Sequence, residues 1–217
     1  VRRGADVKCE VTIDLHEAAR GCEKEVTIHR REKCDECDGS GAAPGTVLEG
    51  CSYCGGSGPV VQSAGFFRMQ TTCPACHGAG HTISTPCRSC RGQGRVRKKA
   101  THTVNIPAGV DEATRLRLQG EGETNAQGTA PGDCYVFIHV REHALFHRDG
   151  NHLICQVPIT YSQAALGATI EVPTLDGRED LELPTGTPTG EVFRLRGRGM
   201  PSIRGGRKGD LLVQVSI

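Results

Sequence analysis

Between residues 34 and 94 the phrase Cys-x-x-Cys-x-Gly-x-Gly occurs four times, and it leaves that stretch little freedom in how to fold. The copies run from Cys34 to Gly41, Cys51 to Gly58, Cys73 to Gly80 and Cys87 to Gly94. Two cysteines separated by two residues can turn both sulfurs toward one ion. The glycines behind them allow the positive φ angles that such a tight knuckle needs. Eight sulfurs in four pairs make two closed tetrahedral sites with metal–sulfur bonds of about 2.3 Å. Zinc, two ions per chain, is the expected cofactor, since closed thiolate tetrahedra suit it better than an iron–sulfur cluster. Evenly phrased repeats are not a usual disulfide framework. A redox CxxC normally occurs once, beside a βαβ pattern that is missing here.

Composition narrows the function classes. The formal net charge is +1, so no global basic field points to nucleic acid or to a membrane surface. No apolar run approaches the ~20 residues that span a bilayer. The opening Val1-Arg2-Arg3-Gly4 does not read as a signal peptide. With reduced-looking cysteines, this leads us to expect a cytoplasmic or organelle-matrix location. Tryptophan is absent while glycine reaches 29 residues, which favours several small β units over one large aromatic core. The basic run Arg95, Arg97, Lys98 and Lys99 reads as a solvated strand end. The nine histidines form no triad or metal-ligand spacing, so no catalysis is expected.

An internal repeat sets the layout. Residues 9–26, CEVTIDLHEAARGCEKEV, align without a gap with residues 155–172, CQVPITYSQAALGATIEV, at an offset of 146. Ile106-Pro107-Ala108-Gly109 matches Leu183-Pro184-Thr185-Gly186, and Gly132-Asp133 matches Gly209-Asp210, at an offset of only 77. The difference, 146 − 77 = 69, is an insertion between Val26 and Ile106, mostly the cysteine stretch. Residues 7–15 alternate apolar and polar, the period of a half-buried strand. The expected architecture is mainly β. Residues 1–33 plus 95–148 form a first sandwich-like domain, residues 34–94 a hairpin-rich two-metal insertion, and residues 149–217 a second, similar domain. An insertion must leave and return at neighbouring points, which favours Cys34, Cys37, Cys87 and Cys90 around one ion and Cys51, Cys54, Cys73 and Cys76 around the other. On spacing alone, sequential pairing stays open.

Four CxxCxGxG phrases inside the first of two β domains resemble the type I (class A) Hsp40 family, the DnaJ co-chaperones. Further likenesses are Leu175-Asp176-Gly177, the Arg-Gly-Arg-Gly run at 196–199, and Arg204-Gly205-Gly206 followed by Gly209-Asp210-Leu211. The chain contains no His-Pro-Asp tripeptide, so the resemblance does not extend to a J domain, nor to the C-terminal dimerisation segment through which full-length members pair. It implies a stress-response chaperone that binds extended apolar segments of unfolded clients, prevents their aggregation and delivers them to Hsp70, without enzymatic activity. The alternative is zinc-dependent thiol–disulfide oxidoreductase activity through the CxxC pairs. By the same resemblance, Val11, Ile13, Val26, Ile28, Val136 and Ile138 line a client groove, although apolar alternation is also what any β core produces. His102 stands where the family tends to place an apolar groove residue. Phe66, Phe67 and Met69, between the second and third knuckles, either meet clients or brace the module. Cys9 and Cys155, at matching repeat positions, read as small buried hydrophobes.

Overall fold

The computed structural model describes residues 3–64, 67–125 and 130–217. The chain opens with β1 (Val7–Ile13), α1 (Leu15–Arg20) and β2 (Cys22–Lys33). The cysteine-rich stretch holds β3 (Glu49–Gly50), β4 (Pro59–Ala64), β5 (Phe67–Thr72) and β6 (His81–Thr82). After it come β7 (Arg95–Ile106), β8 (Arg115–Leu118) and β9 (Cys134–Val140). The second copy comprises β10 (His147–Asp149), β11 (His152–Pro158), α2 (Tyr161–Leu166), β12 (Ala168–Thr174), β13 (Gly177–Leu183), β14 (Val192–Leu195) and β15 (Leu211–Ser216). No helix among the described residues is long and apolar enough to cross a membrane.

Two compact units emerge. One comprises Val1–Val7, Ile28–Ala100 and Leu118–Cys134, and includes the whole cysteine stretch. The other comprises Lys8–Thr27, Thr101–Arg117 and Tyr135–Ile217. Its interior is aliphatic: Ile13, Ile106, Val136, Leu153, Val172, Leu211 and Val213 are all fully buried. These positions follow from alternation. In β1, Val11 and Ile13 face inward while Lys8, Glu10 and Thr12 face solvent. In β15, Leu211, Val213 and Val215 are buried at every second place.

The repeat read from the sequence recurs in the geometry. Both short helices begin with a capping box, Asp14 with Glu17 and Thr160 with Gln163, whose side chains satisfy otherwise orphaned N–H groups. Both end on a glycine at φ 78°, Gly21 and Gly167. A Cβ there would lie 2.9 Å from the Ile106 carbonyl oxygen in one copy and 2.8 Å from that of Leu183 in the other. Asp133 Oδ1 accepts the Gly120 N–H at 2.9 Å, and Asp210 Oδ1 accepts that of Gly197 at 2.9 Å, 77 places on. The sheets match as well. Order β1-β9-β8 is answered by β11-β15-β14, with β10 added at the edge, and the pair β2-β7 by the pair β12-β13.

That last correspondence locates the insertion. In the second copy, β12 and β13 run antiparallel, and Thr174 pairs with Gly177 across a two-residue turn of Leu175 and Asp176. In the first copy the same hairpin is open, and the cysteine module fills the gap between β2 and β7.

Candidate metal centres

Each CxxCxGxG phrase folds into the same knuckle. The N–H two residues before the second glycine's successor closes a turn on the second cysteine: Ser40, Ser57, Ala79 and Gln93 donate to the carbonyls of Cys37, Cys54, Cys76 and Cys90 at 3.0, 3.2, 2.9 and 3.0 Å. The second glycine then donates its N–H to that cysteine's sulfur. Gly41, Gly58, Gly80 and Gly94 reach Cys37, Cys54, Cys76 and Cys90 Sγ at 3.3, 3.3, 3.3 and 3.2 Å. Such donors favour the thiolate, which is the form that ligates metal.

The knuckles then join in pairs, first with fourth and second with third. Cys34 N–H donates to the Gly94 carbonyl at 2.9 Å and Cys87 N–H to that of Gly41 at 2.8 Å. Cys51 N–H donates to Gly80 at 2.9 Å and Cys73 N–H to Gly58 at 3.0 Å. Here the glycine spacing acquires a second meaning, one that reasoning from φ angles alone missed. A Cβ on Gly41 would lie 2.5 Å from the Gly92 carbonyl oxygen, and one on Gly94 would lie 2.3 Å from that of Gly39. On Gly58 and Gly80 it would come within 2.7 Å of the Gly78 oxygen and 2.5 Å of the Gly56 oxygen. The first glycine of each knuckle presents its backbone to the last glycine of its partner. No side chain fits between them.

The result is two sulfur clusters. The Sγ atoms of Cys34, Cys37, Cys87 and Cys90 all lie within 4.8 Å of one another, as do those of Cys51, Cys54, Cys73 and Cys76. Shorter separations are 4.0 Å for Cys34–Cys87, 3.6 Å for Cys37–Cys90, 3.8 Å for Cys51–Cys73 and 3.6 Å for Cys54–Cys76. Sulfurs bound at about 2.3 Å to one tetrahedral ion are separated by roughly 3.8 Å, so the donor set fits a single ion at each centre. All twelve cysteines are unbridged. Sulfurs ligating different irons of a cluster would stand further apart.

The thiols are electrostatically unequal. Burial raises the Cys37 thiol, but the Gly41 N–H and the Cys90 and Cys34 thiols outweigh it and bring it down to about 7. At Cys54 burial is likewise overcome, by the Gly58 N–H and the Cys76 thiol, and the value falls to about 6. Burial pushes Cys73 up to about 11. At Cys34 and Cys87 the N–H groups of Cys37 and Cys90 pull down while burial pushes up, and the net direction is upward. Four neighbouring sulfurs cannot all ionise without a cation among them; a divalent ion removes that conflict.

The expected client-contact residues occupy a different environment. Val11, Ile13, Val26, Ile28, Val136 and Ile138 are all buried, at most 9% exposed, and present no surface to a ligand in this conformation. His102 is partly buried. In the module, Met69 is 62% exposed, and Tyr53 and Val61 are exposed as well. Phe66 and the side chain of Phe67 lie outside the described residues. Cys155 is buried, whereas Cys9 is only partly so.

A doubled β unit, with two four-cysteine centres inserted in its first copy, defines the class: a metal-thiolate β-repeat protein. Residues 7–217 match the family model described as the DnaJ C terminal domain, and the chain belongs to that family. It is 60% identical over 217 residues to the "Chaperone protein DnaJ" of Rhodopirellula baltica, covering all of this chain and 56% of that one. It is 48% identical to the protein of the same name from Nitrosomonas europaea and 49% to that from Maridesulfovibrio salexigens, covering 59% and 58% of them. The chain thus spans somewhat more than half the length of these curated relatives.

Proposed function

We propose that this chain is the client-holding part of a DnaJ-type co-chaperone, binding extended apolar segments of unfolded polypeptides and passing them to an Hsp70 partner. The observation that carries the reading is the family match over residues 7–217, together with relatives named as chaperones. The work is binding rather than catalysis, and it belongs in the cytoplasm. In the longer protein, a further C-terminal segment pairs two such chains. Residues 1–33 plus 95–148 act as the first β domain, 34–94 as the inserted module and 149–217 as the second β domain.

The metal is zinc, one ion on Cys34, Cys37, Cys87 and Cys90 and one on Cys51, Cys54, Cys73 and Cys76. Bound there, it fixes the knuckles and replaces an apolar core; its closed thiolate shell leaves no open position for a substrate.

Client recognition rests on the edges of the first β copy. β1 ends a three-stranded sheet and β2 belongs to a two-stranded one, so each has an edge without a strand partner among the described residues. An extended peptide adds to such an edge through main-chain hydrogen bonds, and apolar side chains behind it supply selectivity. Val11, Ile13, Val26, Ile28, Val136 and Ile138 form the floor behind that edge and shape it from within. The experiment is fluorescence anisotropy with a labelled apolar peptide, on the zinc-loaded chain and on Glu10→Pro, which removes an outward N–H from β1. Weaker binding and poorer suppression of aggregation by the variant are expected. Equal binding by parent and variant would remove the edge from the account.

A further inference from the structure

The basic run at the start of β7 acquires a definite geometry from its pairing with β2. At the base of the cysteine module, Cys34 donates its N–H to the Gly94 carbonyl at 2.9 Å. Counted back along the hairpin from that bond, Lys33 stands opposite Arg95, Arg31 opposite Arg97 and His29 opposite Lys99. Residues two apart on a strand share a face, so these three pairs lie on one side of the hairpin. Val96 belongs to the other side, where it packs against the first sulfur cluster. Like charges directly opposite one another destabilise a strand pair, and here they face each other at two successive places.

The two sides use their charges differently. On the Val96 side, Arg30 pairs with Glu32 and Glu121, and Lys98 meets Asp35 and Glu32 at 2.7 and 3.5 Å. On the opposite side Lys33 meets Asp38 at 2.5 Å, while Arg31 comes no nearer to Glu123 than 3.9 Å. Arg95, Arg97 and Lys99 have no acidic partner among the described residues, and Arg97 and Lys99 are exposed. Thr27, Glu25 and Glu23 follow His29 on the same side of β2, so the positive charge is confined to the module's end of the hairpin. A recess of about 200 Å³ opens there between His29, Arg31 and Arg97, with Arg30 and Glu123 completing its wall. One carboxylate in that wall is set against three guanidiniums, of which Arg30 alone is fully paired.

We propose that this face binds an extended peptide with acidic side chains at alternate positions. Successive cation pairs repeat at about 6.8 Å, twice the rise of a strand residue, and alternate side chains of an extended peptide repeat at the same interval. One carboxylate enters the recess between Arg31 and Arg97, whose planar forks match it. Carboxylates two places to either side meet Arg95 and Lys99. The bound acid also relieves the repulsion between the opposed cations of the hairpin. Single-stranded nucleic acid has the same sign of charge, but its binders stack bases on aromatic rings, and the outward positions of β2 and β7 hold no phenylalanine or tyrosine. The proposal does not rest on apolar-client binding, since carboxylates are what the face recognises.

The test uses the zinc-loaded chain, two fluorescein-labelled heptapeptides and a labelled oligothymidylate. One peptide alternates glutamate with serine and the other lysine with serine, so neither carries an apolar side chain. At about 20 mM salt the parent should bind the glutamate peptide at least tenfold more tightly than the lysine one, and about 0.5 M salt should largely remove the difference by screening. Arg97→Glu and Lys99→Glu, both at exposed positions, should each weaken the glutamate peptide at least fivefold with zinc content unchanged. Arg207→Glu, which reverses an exposed cation of the second copy, should leave it as in the parent. Equal affinity for the two peptides, parent-like binding by zinc-loaded Arg97→Glu, or an equal loss in Arg207→Glu would each overturn the proposal. Oligothymidylate bound as tightly as the glutamate peptide would overturn it too, by giving the face to nucleic acid.

Discussion

Stripping the metal should melt the cysteine module and leave the aliphatic β unit folded. The reason is the content of the module's interior. Among the described residues between 34 and 94, the buried apolar side chains are Cys34, Cys37, Cys51, Cys73, Cys76, Cys87 and Cys90, with Ala42 also buried. Among the described residues, only Val96 packs against the first cluster, and Val60 with Cys54 against the second. Burying an aliphatic side chain fully is worth about 1.5–3 kcal/mol, and these two valines are only partly buried. A structural zinc ion contributes about 10–16 kcal/mol in zinc-finger peptides near neutral pH. A zinc ion at each centre would outweigh the aliphatic contribution, and no other buried apolar group among the described residues there would replace it.

Hydrogen exchange read by mass spectrometry, before and after a strong chelator and reductant, measures the effect. Elemental analysis confirms that the metal has gone. The amides of Cys34, Cys51, Cys73 and Cys87, which donate across the paired knuckles, should lose protection together. Amides of β11 and β15 should keep theirs, because Leu153, Val213 and Val215 hold a separate apolar interior. Metal-free protein whose knuckle amides still exchange slowly would refute the reasoning.

Three further outcomes follow from particular contacts. Gly94→Ala should weaken metal retention at the first centre and spare the second, because its Cβ would lie 2.3 Å from the Gly39 oxygen at φ +69°; chelator titration with two resolved steps reads this, and two unaltered steps would count against it. Asp133→Ala should lower stability by about 3 kcal/mol, at the low end for breaking a buried pair because Arg3 can rehydrate. Asp133 is 1% exposed and 2.5 Å from Arg3, whereas Asp210 is 17% exposed and 3.6 Å from Arg194, so Asp210→Ala should cost less; equal urea midpoints would contradict this. The Lys24 ammonium holds the Glu17 carboxyl below its ordinary value, helped by the Asp14 N–H. That contribution is complete above the unfolded carboxyl's value and disappears as pH falls through the folded one, so Glu17→Gln should flatten the acid side of a stability–pH curve.

Much of this was legible in the residues themselves. Alternation announced β1 and β9, and two different repeat offsets announced a doubled unit with an insertion, since an offset that shrinks from 146 to 77 admits little else. The knuckles were legible because metal ligation tolerates few spacings. What alternation could not reveal is which apolar residues meet a ligand: Val11 and Ile28 have the same pattern whether they floor a groove or fill an interior. Nor could sequence disclose the contact of Gly94 with Gly39, since two backbones meeting leave no side-chain signature beyond the glycines.

The second copy shows what the first one lost to its insertion, and this yields a last expectation. In β12 and β13 a turn of Leu175 and Asp176 joins Thr174 to Gly177. The matching place in the first copy accepts some sixty residues because the module closes on itself: Cys34 N–H meets the Gly94 carbonyl at 2.9 Å, so its two ends stand one hydrogen bond apart, as a turn's ends do. A loop whose ends are already tied imposes little closure cost on the hairpin that bears it. Replacing residues 34–94 with a two-residue Asp-Gly turn, which suits a hairpin connection, should therefore leave the unit Lys8–Thr27, Thr101–Arg117 and Tyr135–Ile217 cooperatively folded. Its thermal unfolding should keep its sharpness and lose only its dependence on metal. A deletion variant that unfolds without a cooperative transition would mean that the module, rather than its hairpin, organises the β unit.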